Sequence, residues 1–447
     1  MLHKNRVKNR THMTSFRVII ISFFCLILVG TLLLMLPISS RQRCVTSFPD
    51  AMFTAVSATC VTGLVVKDTA TYWSLFGQAV ILMLIQIGGM GVITVGLAII
   101  RASGRKIGLW QRSTMQESIS APQVGGIVKL TGFILKTSLI IEMIGAALLA
   151  PVFCNDLGIA KGLWYSLFHS ISAFCNAGFD LLVIKEPFSS LTFYHSNIYL
   201  NIIIMLLIIT GGIGFLVWGD IGTHKHRIRR YSLQSKVVLM TSAVLIVLPA
   251  LYFFFFEYDH GTIHDRTIHS LFQSVTTRTA GFNTTDLAAM DESGTAIMII
   301  LMLIGGSPGS TAGGMKTTTF AVLMGNMVAT FKRNKNIHFF ERRIDNDTVK
   351  NAATIAMMYI TLFVTGAFII NVTDGISLGK CLFETASAVG TVGLTLGITP
   401  QLGILSRIVL IILMFMGRVG GLTLIYAAFS GNGNSYSKFP EEKINIG

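Results

Sequence analysis

Ser387-Ala388-Val389-Gly390-Thr391-Val392-Gly393-Leu394 closes a short apolar segment and opens a polar loop. Three other stretches share its pattern: Val61-Thr62-Gly63-Leu64, Asn176-Ala177-Gly178-Phe179 and Thr279-Ala280-Gly281-Phe282. Each follows a Ser/Thr/Ala-rich apolar segment and sets a large apolar residue after the glycine. The glycines recur roughly every 110 residues, a fourfold internal repeat. A single glycine in such surroundings is read as a helix-packing residue. Four in register, each between a short apolar segment and a long one, point instead to loops that need glycine backbone angles.

Composition sets the solvent. The 447 residues are 52% apolar and 13% charged, with a mean hydropathy of +0.66, which places the chain among integral membrane proteins. A net charge of +14 invites a nucleic-acid reading, but the cations cluster in short loops between apolar runs, the pattern of membrane topology. Cys25, Cys44, Cys60, Cys154, Cys175 and Cys381 show neither a Cys-x-x-Cys pair nor metal-ligand spacing, so no disulfide framework and no zinc site is expected. The apolar stretch Val18 to Leu36 follows a basic leader without a small-residue cleavage site, and reads as a first transmembrane helix.

Apolar runs near spanning length lie at 15–37, 72–100, 130–151, 195–218, 236–256, 294–330, 351–370 and 404–429. Between the members of each pair is a segment too short to span, at 48–59, 160–175, 266–277 and 376–389. Non-helical backbone at membrane depth is tolerated only beside protein or a water-filled cavity, so these segments read as re-entrant pore helices. The expected fold is all-α and membrane-embedded: four tandem helix, pore-loop, helix units, with eight transmembrane helices and four pore helices around one pore. The units span 1–121, 122–232, 233–349 and 350–447, the last with a cytoplasmic tail. Each unit crosses twice, so the termini and the inter-unit loops share one side; that side holds 23 of the 35 Lys and Arg residues. The positive-inside rule therefore places both termini in the cytoplasm and the glycine loops near the outer face.

The pairs Val61-Thr62, Asn176-Ala177, Thr279-Ala280 and Thr391-Val392 precede Gly63, Gly178, Gly281 and Gly393. Rings of backbone carbonyls from four such loops replace the hydration shell of potassium in potassium-channel filters. No second glycine follows Leu64, Phe179, Phe282 or Leu394, so a shorter and less strict filter is expected. The run Gly305-Gly306-Ser307-Pro308-Gly309-Ser310-Thr311-Ala312-Gly313-Gly314-Met315-Lys316 cannot hold a straight helix. It nearly spells a phosphate-binding loop, but the spacing to Lys316 is wrong and no strand precedes it. Lys316 and Arg418 are cations in apolar surroundings and count as functional candidates.

With these motifs the chain resembles the Trk/Ktr/HKT superfamily of potassium transporters over nearly its whole length, most closely a Ktr-type membrane subunit. The resemblance implies a potassium-uptake pore driven by the electrochemical gradient, in a bacterial cell membrane. It implies that Gly305 to Gly314, with Lys316 and Arg418, gate the pore beneath the filter. It also implies a sodium-dependent homodimer on a cytosolic ring of nucleotide-binding Ktr regulatory subunits. No cofactor, no nucleic acid and no enzymatic activity are expected; K+ is the transported ion. Relatives with serine at the first-loop glycine tend to admit sodium, and Gly63 stands here.

Alternative readings were a sodium-translocating or K+/Na+ cotransporting member of the superfamily, and an intramembrane hydrolase using Ser307 or Ser310 with His264 or His269 as base. Asp68, Asp180 and Asp286 follow their glycines closely and either concentrate cations or are merely solvated. Arg278 is expected to turn away from the filter towards Glu384. Gly88-Gly89, Gly211-Gly212 and Gly420-Gly421 read as hinges or as packing sites, His169 as a packed histidine, and the tail Lys438 to Lys443 as a partner-binding segment.

Overall fold

The computed structural model describes residues 14–96, 107–119, 123, 125–182 and 188–421. Helix α1 (Ser15–Met35) is followed by the short α2 (Phe48–Thr59), α3 (Leu75–Met90) and α4 (Leu109–Ile119). Next come α5 (Ile127–Leu157), α6 (Ile159–Phe174), α7 (Ile198–Ile213) and α8 (Phe215–His224). The third stretch is α9 (Leu233–Tyr252), extended by a π-turn to Glu257, then α10 (Ile263–Thr276), α11 (Glu292–Leu303) and α12 (Thr317–Phe331). A two-stranded hairpin, β1 (His338–Phe339) against β2 (Arg342–Arg343), leads to α13 (Asn346–Asp374), α14 (Leu378–Gly390) and α15 (Ile404–Val419).

Four helices are long and apolar enough to cross a membrane: Ser15–Met35, Ile127–Leu157, Leu233–Glu257 and Asn346–Asp374. They fall on the first, third, fifth and seventh apolar runs. The four short segments become α2, α6, α10 and α14. Their starts are set by local chemistry: Ser47 and Thr262 accept hydrogen bonds from the amides of Asp50 and Asp265, which satisfies donors that a helix start leaves free. Their last turns are buried.

The remaining runs depart from expectation. Sequence reasoning places one break, in the third unit, yet every second run is broken. Helix α3 stops at Gly91 (φ 88°), and the chain is helical again over 92–96. Helix α7 meets α8 at Gly214 (φ 105°) with a 95° bend. Helix α15 ends at Gly420 (φ 89°), and the third run opens into the loop between Ile304 and Lys316. Positive φ is inexpensive only for glycine, so the breaks sit where glycine stands.

The glycine pairs upstream of these breaks pack. A Cβ at Gly88 would strike the Thr59 carbonyl, one at Gly211 the Phe174 carbonyl, and one at Gly417 the Val389 carbonyl. Thr59, Phe174 and Val389 each lie four residues before a loop glycine. The same close crossing of a long helix over the end of its short helix thus occurs three times.

Apolar cores bridge successive quarters of the molecule. One joins Leu34, Ile81 and Ile85 to Phe153, Phe168 and Ile204. Another joins Phe53 and Leu64 to Leu410 and Met414, and a third joins Phe253 and Met302 to Phe383 and Leu394. Helix α10 packs on α7 and completes the circle.

Candidate functional site

The short helices converge on their C-terminal ends, and each is terminated in the same way. Val61 (φ 58°), Asn176 (φ 58°), Thr279 (φ 68°) and Thr391 (φ 52°) all adopt the left-handed conformation, and so do Gly63, Gly178, Gly281 and Gly393 two residues on. A left-handed non-glycine residue is disfavoured by sterics and persists only where its surroundings enforce it. The enforcing bonds are present. The amides of Thr62, Ala177 and Val392 donate to the carbonyls of Ser57, Ser172 and Ser387 at 2.8 Å, and that of Ala280 to Thr276 at 3.0 Å. Hydroxyls brace the turns further: Ser57 and Ser387 accept from the amides of Gly63 and Gly393 at 3.1 and 3.0 Å. Ser172 and Thr276 donate to the carbonyls of Phe179 and Phe282 at 2.7 Å.

The four glycines form a closed ring. A Cβ built on Gly63 would lie 3.2 Å from Gly178 Cα, one on Gly178 2.9 Å from Gly281 Cα, one on Gly281 3.3 Å from Gly393 Cα, and one on Gly393 2.9 Å from Gly63 Cα. Each such Cβ would also press on the carbonyl oxygen just before the neighbouring glycine, those of Ala177, Ala280, Val392 and Thr62 in turn. All eight residues preceding the glycines are buried. Segments more than a hundred residues apart in sequence therefore present four carbonyls at one place.

Directly against this ring lies the loop between α11 and α12. Gly305 and Met315 hold its ends together, with the Gly305 amide donating to Met315 O at 2.7 Å, and the Thr317 amide donates to Gly306 O at 3.1 Å. Ser307 and Thr311 donate to the carbonyls of Gly212 and Gly211 at 3.0 and 3.3 Å, and Gly314 to Gly417 at 3.2 Å. In return Phe215 donates to Gly309 O at 2.6 Å. Gly313 abuts the Thr391 side chain, Gly306 has Ala312 against it, and a Cβ on Gly214 would come 2.8 Å from Pro308 O. Ser310 donates to Ser307 O at 2.7 Å.

The two intramembrane cations are tied to this loop by carbonyls. Arg418 donates to Thr311 O and to Gly89 O at 2.8 Å, and also to Gly88 O. It thus pins the loop to α3, the second run of the first unit. Lys316 Nζ donates to Ala312 O at 2.8 Å. A cavity of about 190 Å³ opens on the side bounded by Gly91, Ile119, Phe215, Lys316, Arg418 and Gly420, and no residue of the glycine ring lines it.

Other expected residues have different occupations. Arg278 does turn from the ring, but its partner is Ser242 Oγ at 3.1 Å. Glu384 instead accepts from Thr395 at 2.8 Å and from Thr399. The expected Arg278–Glu384 pair is thereby corrected: each is satisfied by a hydroxyl nearer to it. Asp68 is neither a free acid nor merely solvated; it caps the turn at Thr69–Tyr72 through Thr71 and accepts from the Phe188 amide at 2.9 Å. Asp180 and Asp286 accept from the amides of Leu182 and Ala288. His169 is fully buried among Phe153, Tyr165, Phe168 and Phe282, with Nδ1 2.7 Å from Tyr165 O. The six cysteines are free thiols. Ser307 accepts from Thr317 Oγ1 at 3.1 Å, while His269 packs on His195 and Tyr258; neither serine has a histidine partner among the described residues. The tail Lys438 to Lys443 lies outside the described residues.

One pair escaped the reading of the sequence. Glu142, buried in the middle of α5, accepts from Gln86 Nε2 at 2.9 and 3.0 Å, and Cys175, beside the ring residue Asn176, donates to Gln86 Oε1 at 3.7 Å. A lone acid inside a spanning apolar run was the available signal.

Residues 1–436 match the family model for TrkH, described as a cation transport protein. The chain is 39% identical to the potassium/sodium uptake protein NtpJ of Enterococcus hirae, covering 99% of both. It is 38% identical to the Ktr system potassium uptake protein B of Bacillus subtilis, covering 100% of both. It shares its fold with the crystal structure of the potassium transporter TrkH from Vibrio parahaemolyticus, at a TM-score of 0.73 and 20% identity, over 95% of this chain and 86% of that one.

Proposed function

The chain belongs to the TrkH family of cation transport proteins, and from that premise we propose that it is the pore-forming membrane subunit of a potassium uptake system. The observation that carries the reading is the closed ring of Gly63, Gly178, Gly281 and Gly393, with the carbonyls of Thr62, Ala177, Ala280 and Val392 packed between them. In this reading those carbonyls, with those of Val61, Asn176, Thr279 and Thr391, replace water around a potassium ion. Four units, 1–121, 122–232, 233–349 and 350–447, each cross the membrane twice and supply one re-entrant helix. Eight crossings then surround one pore, with both termini in the cytoplasm. The ion moves down its electrochemical gradient; 100 mV contributes about 2.3 kcal/mol per monovalent cation, so accumulation needs no ATP chemistry in this chain.

The loop from Gly305 to Gly314 obstructs the pore under the ring, and Lys316 and Arg418 add positive charge to the cavity below it. The name of the Bacillus subtilis relative, a Ktr system protein, supports a homodimer seated on a cytosolic ring of nucleotide-binding regulatory subunits. Purification from native membranes without any soluble nucleotide-binding protein would remove that partner. The name of the Enterococcus relative, a potassium/sodium uptake protein, favours a second reading in which sodium is carried or required. Flux of the purified chain in liposomes under opposed potassium and sodium gradients decides between them. Potassium flux that persists without sodium supports the first; sodium flux equal to or above that of potassium supports the second; no ion flux at all would sink both.

A further inference from the structure

Helices α9 and α12 do not close on one another. Between them runs an apolar groove of about 650 Å³, well within the range of roughly 300–1,000 Å³ of ligand sites. Its walls are Met240, Val244 and Leu248 from α9 with Met324 and Val328 from α12, each 41–61% exposed. At one end the hairpin β1–β2 folds over α12. Phe339 rests on Gly325, where any side chain would collide with its ring, and Lys332 and His338 line the groove there.

That end is strongly basic. Lys332, Arg333, Lys335, Arg342 and Arg343 are exposed, and Glu341 is the single acid between Lys332 and Arg343. Among the described residues the salt bridges are those of Lys67, Arg407, Lys350, His224 and His260, so none of these five cations has an acidic partner. Helix α12 begins one residue after Lys316, and Phe331 ends it one residue before Lys332. The groove is therefore apolar along its helical walls and cationic where the chain leaves them.

We propose that this groove holds an acyl chain of one anionic phospholipid, with its phosphate held by Lys332, Arg342 and Arg343. The chemistry matches at both ends: hydrocarbon against Met, Val and Leu, and an anion against unpaired cations, the arrangement by which basic pockets between membrane helices bind lipid headgroups. A second copy of this chain is disfavoured as occupant. A twofold interface apposes the same patch on both subunits, and here it would bring two sets of five cations together, which repel.

Native mass spectrometry of the purified chain in detergent, with phosphatidylglycerol or phosphatidylcholine added, tests the site. The expected result is one retained phosphatidylglycerol per chain, outcompeting phosphatidylcholine. Lys332→Gln and Arg342→Gln should each weaken phosphatidylglycerol retention about fivefold, the effect of one basic residue near an anionic surface, and leave phosphatidylcholine unchanged. Val328→Trp, which fills the groove, should reduce retention of both lipids. Ile360→Trp, on exposed α13 surface outside the groove, should reduce neither; elution volume and melting temperature confirm that each variant is folded. Equal phosphatidylglycerol retention in the folded wild type, Val328→Trp and the two charge variants would overturn the proposal. So would a Val328→Trp protein that loses its dimer while keeping its lipid, which would assign the groove to a second copy.

Discussion

A methyl group at Gly393 would meet the Thr62 carbonyl and the Gly63 backbone, and one at Gly63 would meet the Ala177 carbonyl. These obstacles are backbone atoms, held by hydrogen bonds to Ser57 and Ser172, so they cannot step aside as a flexible side chain would. Both glycines also have φ 93°, a conformation that costs a residue bearing Cβ roughly 1–2 kcal/mol. Gly63→Ser and Gly393→Ser should therefore lower the potassium-over-sodium flux ratio by about tenfold, since 1.36 kcal/mol is a factor of ten. Ion-selective flux assays on folded protein read this directly, and an unchanged ratio in both would take the ring out of the selectivity step. At this scale the sequence revealed the glycines but misjudged Arg278 and the acids. A side chain's partner depends on which elements pack beside it, and Ser242, Thr395 and Thr399 lie 36, 11 and 15 residues away in sequence from the residues they satisfy.

The loop between α11 and α12 is an element without regular structure, yet its amides and carbonyls are bound to α7, α8 and α15, and Arg418 ties it to α3. Those bonds restrain a segment whose glycines otherwise make several conformations close in energy. Arg418→Ala removes the bridge between Thr311 O and the Gly88 and Gly89 carbonyls and also removes a cation from the cavity beneath. At an effective dielectric near 20, a unit charge 4 Å from the ion costs about 4 kcal/mol, or roughly a thousandfold in occupancy. Both effects have the same sign, so Arg418→Ala, and likewise deletion of 309–313, should raise partner-free flux in liposomes while leaving the ion preference intact. Low, unaltered flux from a folded deletion protein would instead mark the loop as a fixed plug. The broken second runs belong to the same scale. They were invisible as breaks because Gly91, Gly214 and Gly420 sit inside apolar sequence that satisfies every rule for a continuous helix.

Across the whole molecule, the chain must close on itself for the ring to exist, and the closing contact joins its two ends. Asp50 at the start of α2 binds Arg407 of α15 at 2.8 Å, although 357 residues separate them. Arg407 also donates to the carbonyls of Leu402 and Pro400 at 2.9 and 3.0 Å. The pair is mostly shielded, with side chains 16% and 20% exposed. Asp50→Ala should thus destabilise the folded protein by roughly 2 kcal/mol, the range of a hydrogen bond to a charged group. Melting curves in detergent for Asp50→Ala, Arg407→Ala and the double variant check this. The double variant should be less destabilised than the sum of the singles; strict additivity would show that the contact does not hold the first and last quarters together.

Sequence by itself determined that the chain lives in a membrane, that four short helices alternate with long apolar runs, and that four glycines occupy equivalent turns. Hydropathy, segment length and glycine's backbone freedom act over a few residues, or recur at a fixed period, and so are written locally. Only the tertiary structure decided that the four turns meet in one closed ring, that each second run is broken, and that the glycines ahead of three of those breaks are packing contacts. It alone gave Arg278, Glu384, Glu142 and Arg418 their partners. Those outcomes depend on which backbone carbonyls and hydroxyls from distant segments arrive at the same point, and that is fixed by packing around the whole ring.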